Sequence, residues 1–548
     1  MSIIELDRFY GRKSVLDLLK RRVLDLRDGY RQNIAFVGLR HTGKTMMLER
    51  FIADLDAPDI ITIYVDLENA DLNHVFYKFA GSILFHFARN KGLPLNDDLN
   101  LLLKTTETHL PQTTKAIRKI QSALSHGKER EAYLDTIVLP QIFTQETNTF
   151  CVLFLDEFQD LEELGIPEVF QDLGKGIMTQ RRCLYVVTSS LPWVANRILS
   201  EKLSLLFGNF EIIEVQAFDL KTSQEFISVH LDKVRLNESL TNFLIDFTGG
   251  HPLYLGLICR ELATLSAVHK QTEIFAPLLA QAIEDILFNR WGVLNRHFEL
   301  LMERISSGKG NLVVSGLVMT LAKGRQKIQE LAGDAQMKQN ISAQKVNRLV
   351  EMGIVAKNGN YYYLPDKLFK YWIKYVFQKR RCAIVLAAER QKREFQEELA
   401  DCVERFRAVS QKDFSVRVME LLSCFENESL LINGRRYKLP LFAQMTPSKV
   451  CGVRGECVDV IRAATNDGEW VIVLKSGAVG ENEISDVLAE TKKIMQKPQR
   501  SVLISLTTLD ENTRLRALQE RMWIWNEGEL TTLLNLFDKP FIMQTKEL

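Results

Sequence analysis

The sequence predicts an α/β fold built on a parallel sheet, with helices between its strands. Three observations predict it. Five short apolar runs, at 33–37, 60–65, 151–155, 183–187 and 210–215, are separated by helical stretches. A glycine-rich turn joins the first run directly to a helix. The third run ends in two adjacent acids, Asp156 and Glu157.

In chain order, Val15, Leu16, Leu18, Leu19, Val23 and Leu24 recur at helical spacing. Asn33 to Val37 (NIAFV) reads as a buried strand, and a helix follows from about Lys44 to Ala53. Ile60 to Val65 is the second strand. A long helical interval, absorbed as an insertion, reaches about Asn148. Cys151 to Leu155, Cys183 to Val187 and Phe210 to Val215 complete the sheet. Residues 1–218 are thus one expected domain, and 219–301 a helical lid. In 302–378, helices near Leu312–Leu321, Arg325–Leu331 and Ala343–Met352 (capped by Ser342) precede two strands, Ile354–Lys357 and Tyr361–Leu364, across an Asn-Gly turn. Three helices and a hairpin are the winged-helix plan. A charged helical bridge spans 379–411, and 412–548 returns to α/β, with a helix near Glu483–Met495.

The 548 residues are 46% hydrophobic and 25% charged, as in folded chains, so global disorder and collagen are excluded. Lys plus Arg is 70 against 69 Asp plus Glu, which excludes a chain-wide basic field and leaves a local one open. Met1 is followed by Ser-Ile-Ile-Glu-Leu-Asp, neither basic nor a sustained apolar stretch, so no secretory signal is expected, and without an apolar run of about 18 residues no membrane span is expected. The eight cysteines form no CxxC pair, so reduced thiols in a cytoplasmic protein are expected.

Gly38-Leu39-Arg40-His41-Thr42-Gly43-Lys44-Thr45 fits G-x-x-x-x-G-K-[ST] between a strand and a helix. Gly38 and Gly43 let the backbone turn its N–H groups toward phosphates, and the helix start at Lys44 faces the same anion. Lys44 supplies charge to the β- and γ-phosphates, and the Thr45 hydroxyl is a ligand for Mg²⁺. Asp156 would hold the Mg²⁺ through its water shell, and Glu157 would orient or deprotonate the attacking water. ATP and Mg²⁺ are therefore the expected ligands of a P-loop NTPase. The fourth strand ends Thr188-Ser189-Ser190. Ser189 is the first choice to reach the γ-phosphate or the water, with Thr188 next; capping the following helix is an equal alternative.

These residues resemble a family. Phe9-Tyr10-Gly11-Arg12 with Leu16, Leu155-Asp156-Glu157-Phe158-Gln159-Asp160-Leu161, and Thr248-Gly249-Gly250-His251-Pro252-Leu253-Tyr254-Leu255 look like the opening box, Walker B segment and G-x-P motif of the archaeal-type ATPases. Those belong to the STAND branch of the P-loop ATPases, related to AAA+ initiators. The resemblance covers roughly residues 6 to 378. It implies that Gly11 and Arg12 border the adenine, and that His251 and Pro252 sense nucleotide for the lid and winged helix; a plain helix-breaking turn is the alternative for Gly250-His251-Pro252. One departure matters. Where the family carries an arginine, this sequence reads Leu206-Phe207-Gly208-Asn209. An arginine finger is worth about 10³–10⁵ in rate, so slow turnover is expected unless Arg197 substitutes.

Lys345 and Arg348 on the third helix, Lys338 before it and Lys357 beyond it could meet DNA phosphates, while Glu351 opposes that. The positive runs at 379–381 and 390–393 read first as a solvated helix face. The last segment weakly resembles a restriction-endonuclease-like domain of the PD-(D/E)xK type, with Glu420, Asp459 and Lys475. The acid required two residues before the lysine is Val473, so an inactive docking or nucleic-acid-binding domain, and not a nuclease, is expected unless Glu456 or Glu469 migrates into the role.

The expectation is a cytoplasmic, Mg-dependent, STAND-type switch ATPase. Its targets would be DNA, a protein partner or a second copy, with no membrane. The alternatives are an ATP-controlled DNA nuclease and an adaptor that holds nucleotide without turnover.

Overall fold

All five residues of strand β1 (Asn33–Val37) are buried, as a central parallel strand covered on both faces requires. The computed structural model describes residues 9–203, 210–306, 311–334, 339–382, 388–432, 434–451, 457–477, 498–507 and 509–542. It divides into two units, Met1–Phe218 with His251–Leu253, and Asp219–Gly250 with Tyr254–Leu548.

In the first unit, β1 joins β2 (Ile60–Asp66), β3 (Phe150–Asp156), β4 (Cys183–Ser189) and β5 (Phe210–Glu214) in the order β2-β3-β4-β1-β5. Every pairing is parallel. The period-2 alternation of each strand divides two cores. Ile34, Phe36, Val152, Phe154, Leu184 and Val186 pack on α1 (Lys13–Asp25) and α2 (Lys44–Asp54). Ala35, Val37, Leu153, Leu155, Tyr185 and Val187 face the helical insertion: α3 (Leu72–Asn90), α4 (Leu99–Thr106), α5 (Pro111–Ser125) and α6 (Glu129–Thr147). The insertion carries its own start signals. Asp71 accepts the His74 N–H, Asp98 accepts those of Asn100 and Leu101, and Pro111 opens α5. Helices α7 (Val169–Thr179) and α8 (Pro192–Arg197) complete this face. The result is a three-layer α/β fold with the P-loop arrangement, helix–sheet–helix.

The second unit begins with α9 (Leu220–His230), β6 (Arg235–Leu236), α10 (Glu238–Thr248), α11 (Pro252–His269, whose first two residues belong to the first unit), β7 (Glu273–Ile274), α12 (Ala276–Ile283) and α13 (Val293–Ser306). Asp219 and Asn237 cap α9 and α10. Helix α13 continues past residue 301, because Leu294, Phe298, Met302 and Ile305 keep one stripe buried. Next come α14 (Asn311–Ala322), β8 (Gln326–Lys327), α15 (Ile328–Asp334), α16 (Gln339–Glu351), β9 (Ala356–Asn358), β10 (Tyr361–Tyr363) and α17 (Lys367–Trp372). Two details differ from the sequence reading. Ser342 lies within α16 rather than capping it, since the helix already runs from Gln339. Asn358 is the last paired residue of β9, opposite Tyr361, so the two-residue turn is Gly359-Asn360. A third strand, β8, extends the hairpin to the order β8-β10-β9.

The charged bridge is α18 (Gln378–Cys382) and α19 (Ala388–Ser410). After α20 (Phe414–Leu422), β11 (Glu428–Ile432) and β12 (Arg435–Leu439) form a hairpin. The final sheet is β13 (Gln444–Cys451), β14 (Cys457–Thr465), β15 (Gly468–Lys475), β16 (Arg500–Ser505) and β17 (Trp523–Trp525), antiparallel on its first three strands and parallel on the rest. Helices α21 (Glu511–Gln519) and α22 (Glu527–Leu536) accompany it. The helix expected near 483–495 lies outside the described residues, as do Lys338 and Glu456. Among the described residues no helix is long and apolar enough to cross a membrane, and Cys151, Cys183, Cys259, Cys402 and Cys424 are free thiols.

Candidate active site

The residues of 38–45 fill the turn from β1 to α2. Gly38 donates its N–H to the Ser189 carbonyl at 3.1 Å, and a Cβ there would collide with the Val215 carbonyl oxygen. The position therefore admits glycine alone. His41 and Gly43 take left-handed backbones, with φ 59° and 91°. Thr42 Oγ1 donates to the Leu39 carbonyl at 3.0 Å. Lys44, 4% exposed, donates its ammonium to the Gly38 and Leu39 carbonyls at 3.0 and 2.9 Å. Burial pushes its pKa down to about 8, against the pull of Glu157 and Asp156.

Asp156 ends β3, 2% exposed, and three hydroxyls meet it. Thr45 and Tyr64 each donate to Oδ2 at 2.8 Å, and Thr188 donates to Oδ1. Thr188 Oγ1 also accepts the Glu157 N–H at 3.1 Å. Glu157 sits at φ 51°, a left-handed backbone uncommon for a non-glycine residue. Its Oε2 accepts from Gln159 Nε2 at 2.8 Å, Ser190 N at 2.9 Å and Ser190 Oγ at 2.8 Å. Next to it, burial raises the Asp160 pKa to about 7, helped by the charges of Glu163 and Glu157.

The fourth-strand triplet thus divides its work. Thr188 and Ser190 reach the two acids. Ser189, the first choice from sequence, turns its hydroxyl to accept the Leu191 N–H at 3.1 Å, a local turn just ahead of α8 that leaves the helix without a side-chain cap. Tyr64, Gln159 and Ser190 were not singled out by sequence. The available signal was a tyrosine near the end of the mostly aliphatic run Ile60–Val65.

Around this centre, Arg12 (φ 61°) follows Gly11 (φ 72°). Its guanidinium donates to the Gln216 carbonyl and, at 3.4 Å, to that of Thr42, and lies 5.2 Å from the Phe218 ring centroid. Arg40 lies 3.4 Å from Glu68, and its carbonyl accepts from His251 Nε2 at 3.0 Å. That bond fixes the proton on Nε2. Pro252 is the first residue of α11. The structure therefore gathers 38–45, Asp156, Glu157, Arg12 and His251 around one loop. Arg197 lies 4.8 Å from the Trp193 ring centroid of its own helix, and Asn209 lies outside the described residues.

The donor set suits Mg²⁺, a hard cation that prefers oxygen: Thr45 Oγ1 and the Asp156 carboxylate are adjacent at the start of α2.

In the last sheet, Asp459 pairs with Leu474. Val458, Val460, Val471 and Val473 share one buried cluster, so alternation puts Lys475 on that face and Asp459 on the other. Asp459 lies 3.9 Å from Lys449, Glu469 3.6 Å from Arg462, and Glu420 bonds Lys412 at 2.5 Å. The three nuclease-like residues are not brought together.

No family model matches the chain, and no curated protein does. Among solved structures it is similar to the Walker-type ATPase PABY2304 of Pyrococcus abyssi, at 14% identity and TM-score 0.48, over 67% of this chain and 96% of that one. It is also similar to the ORC2 protein of Aeropyrum pernix in its ADPNP–ADP complexes, at 12% identity and TM-score 0.44, over 73% and 96%. The RuvB Holliday junction branch migration motor of Thermotoga maritima aligns at 14% identity and TM-score 0.33, over 67% and 97%.

Proposed function

We propose that the chain is a Mg-dependent, ATP-binding and ATP-hydrolysing switch of the STAND type. One observation carries this reading. A buried lysine in a glycine-constrained loop, a hydroxyl–carboxylate pair and a second carboxylate converge where β1 and β3 end. Phosphate oxygens would replace the Gly38 and Leu39 carbonyls as partners of Lys44, and the amino end of α2 favours the same anion. Thr45 and Asp156 would hold Mg²⁺, which would supply positive charge beside the phosphates. Glu157 takes the proton of the attacking water. Its Oε2 already accepts three donors, which leaves Oε1 as the acceptor not engaged among the described residues and favours slow basal turnover.

His251 is the reporter in this reading. It bonds the carbonyl of Arg40, inside the phosphate loop, and α11 starts at the next residue. A nucleotide that shifts the loop would move the start of that helix. Titration calorimetry of ATP with Mg²⁺ tests the binding step: wild type should bind, and Lys44→Ala should lose at least tenfold in affinity. Equal affinities would refute the site.

For the second unit, three helices and a three-stranded sheet support a winged helix. Exposed Arg348 on α16 favours DNA as its target.

A further inference from the structure

The small sheet β8-β10-β9 collects cations and a hydroxyl on one surface, and carboxylates from the following segment occupy it. Lys327 Nζ lies 3.4 Å from Glu426 Oε2, and Arg325 Nη1 lies 3.7 Å from Glu428 Oε2. Tyr361 OH bonds Glu426 at 3.0 Å and Glu428 at 2.5 Å. Arg325 also stacks on Tyr361, 4.0 Å from its ring centroid. Guanidinium, ammonium and phenol are the groups that proteins turn toward nucleic-acid phosphates.

The tip of the hairpin is covered as well. Asn358 donates Nδ2 to the Leu431 carbonyl at 2.8 Å and accepts the Leu431 N–H at 2.7 Å. Its side-chain amide thus imitates a strand partner for β11. A Cβ on Gly359 would collide with the Ser429 carbonyl oxygen. A tip held this closely cannot enter a groove. The seat is nevertheless imperfect: Arg325 Nη1 and Glu428 Oε1 are buried without a hydrogen bond among the described residues. Such atoms weaken the docked state, and a phosphate, with its several acceptor oxygens, would satisfy the guanidinium better.

We infer that Glu426 and Glu428 stand in for phosphates, and that β11 closes off a duplex-DNA-contacting face of the small sheet. The inference rests on the reading that this three-helix segment meets DNA. The docked strand is then an internal competitor, and undocking adds Arg325 and Lys327 to the DNA contacts.

The test uses the full chain. Asn358→Ala opens the seat without changing charge, and Glu426→Gln with Glu428→Gln opens it independently should the first variant misfold. Hydrogen exchange over 428–432 reports undocking, and fluorescence anisotropy with a labelled duplex across a salt series reports binding. Expected results are faster exchange, roughly tenfold tighter binding, and a log K against log salt slope steeper by about 1.8 for two added phosphate contacts. Arg325→Ala with Lys327→Ala, added to the opened chain, should remove the gain. Unchanged exchange in both opened forms, or faster exchange with unchanged affinity and slope, overturns the inference. If wild type and opened chains both ignore duplex at about 50 mM salt, the DNA reading of the winged helix falls with it.

Discussion

Ser190 donates both its backbone N–H, at 2.9 Å, and its hydroxyl, at 2.8 Å, to one carboxylate oxygen of Glu157. With Gln159 as third donor, that oxygen has no acceptor capacity left for water. Ser190→Ala removes one donor and frees the carboxylate to turn. Basal phosphate release should rise severalfold with the KM for ATP unchanged. A fall in kcat would mean that the clamp aligns the glutamate rather than restraining it.

Tyr64 is a second silent partner. Its hydroxyl meets buried Asp156 at 2.8 Å. Tyr64→Phe should cost about 0.5–1.5 kcal/mol of stability, the usual net worth of one hydrogen bond where Thr45 still donates to the same oxygen, read as a lower urea midpoint. No change in the midpoint would remove Tyr64 from the network.

Lys44 gives a pH signature. Its folded pKa of about 8 lies below the ordinary lysine value because the site is desolvated. Anion binding needs the ammonium, so ATP affinity should fall as pH rises above about 8. In Lys44→Gln that dependence should vanish. A parallel fall in both proteins would assign the titration elsewhere.

Asp160 carries the opposite sign. Burial raises its folded pKa to about 7, so the folded state holds a proton that the unfolded chain has released. This contribution to stability is full below the unfolded pKa and is lost as pH rises toward 7. Asp160→Asn should therefore gain stability over wild type at pH 8, with the gain shrinking toward pH 4. Chemical denaturation at the two pH values decides it.

How much was legible follows from where the information sits. Strands β1, β3 and β4 are continuous apolar runs bounded by turns, and their residues show the α/β class directly. The loop 38–45 is contiguous, so its chemistry is written in one stretch. Tyr64 and Ser190 reach Asp156 and Glu157 only because β2 and β4 flank β3, and strand order is absent from local pattern. The choice among Thr188, Ser189 and Ser190 was not legible either: adjacent residues of a strand end point in different directions, and sequence alone did not say which hydroxyl faces the acids. Strands β12 and β13 were missed because Arg, Lys, Gln and Pro dilute their apolar alternation. Asn358 read as a turn residue, yet its amide serves β11, a partner more than seventy positions away.

The central claim is that Lys44 and Glu157 act on one ATP. Phosphate release with ATP and Mg²⁺ should therefore be measured for wild type, Lys44→Ala and Glu157→Gln, alongside nucleotide binding. The account predicts slow wild-type turnover, loss of both binding and turnover in Lys44→Ala, and loss of turnover with ATP still bound in Glu157→Gln. Turnover in Glu157→Gln equal to wild type, or tight ATP binding with no turnover in any form, would contradict it.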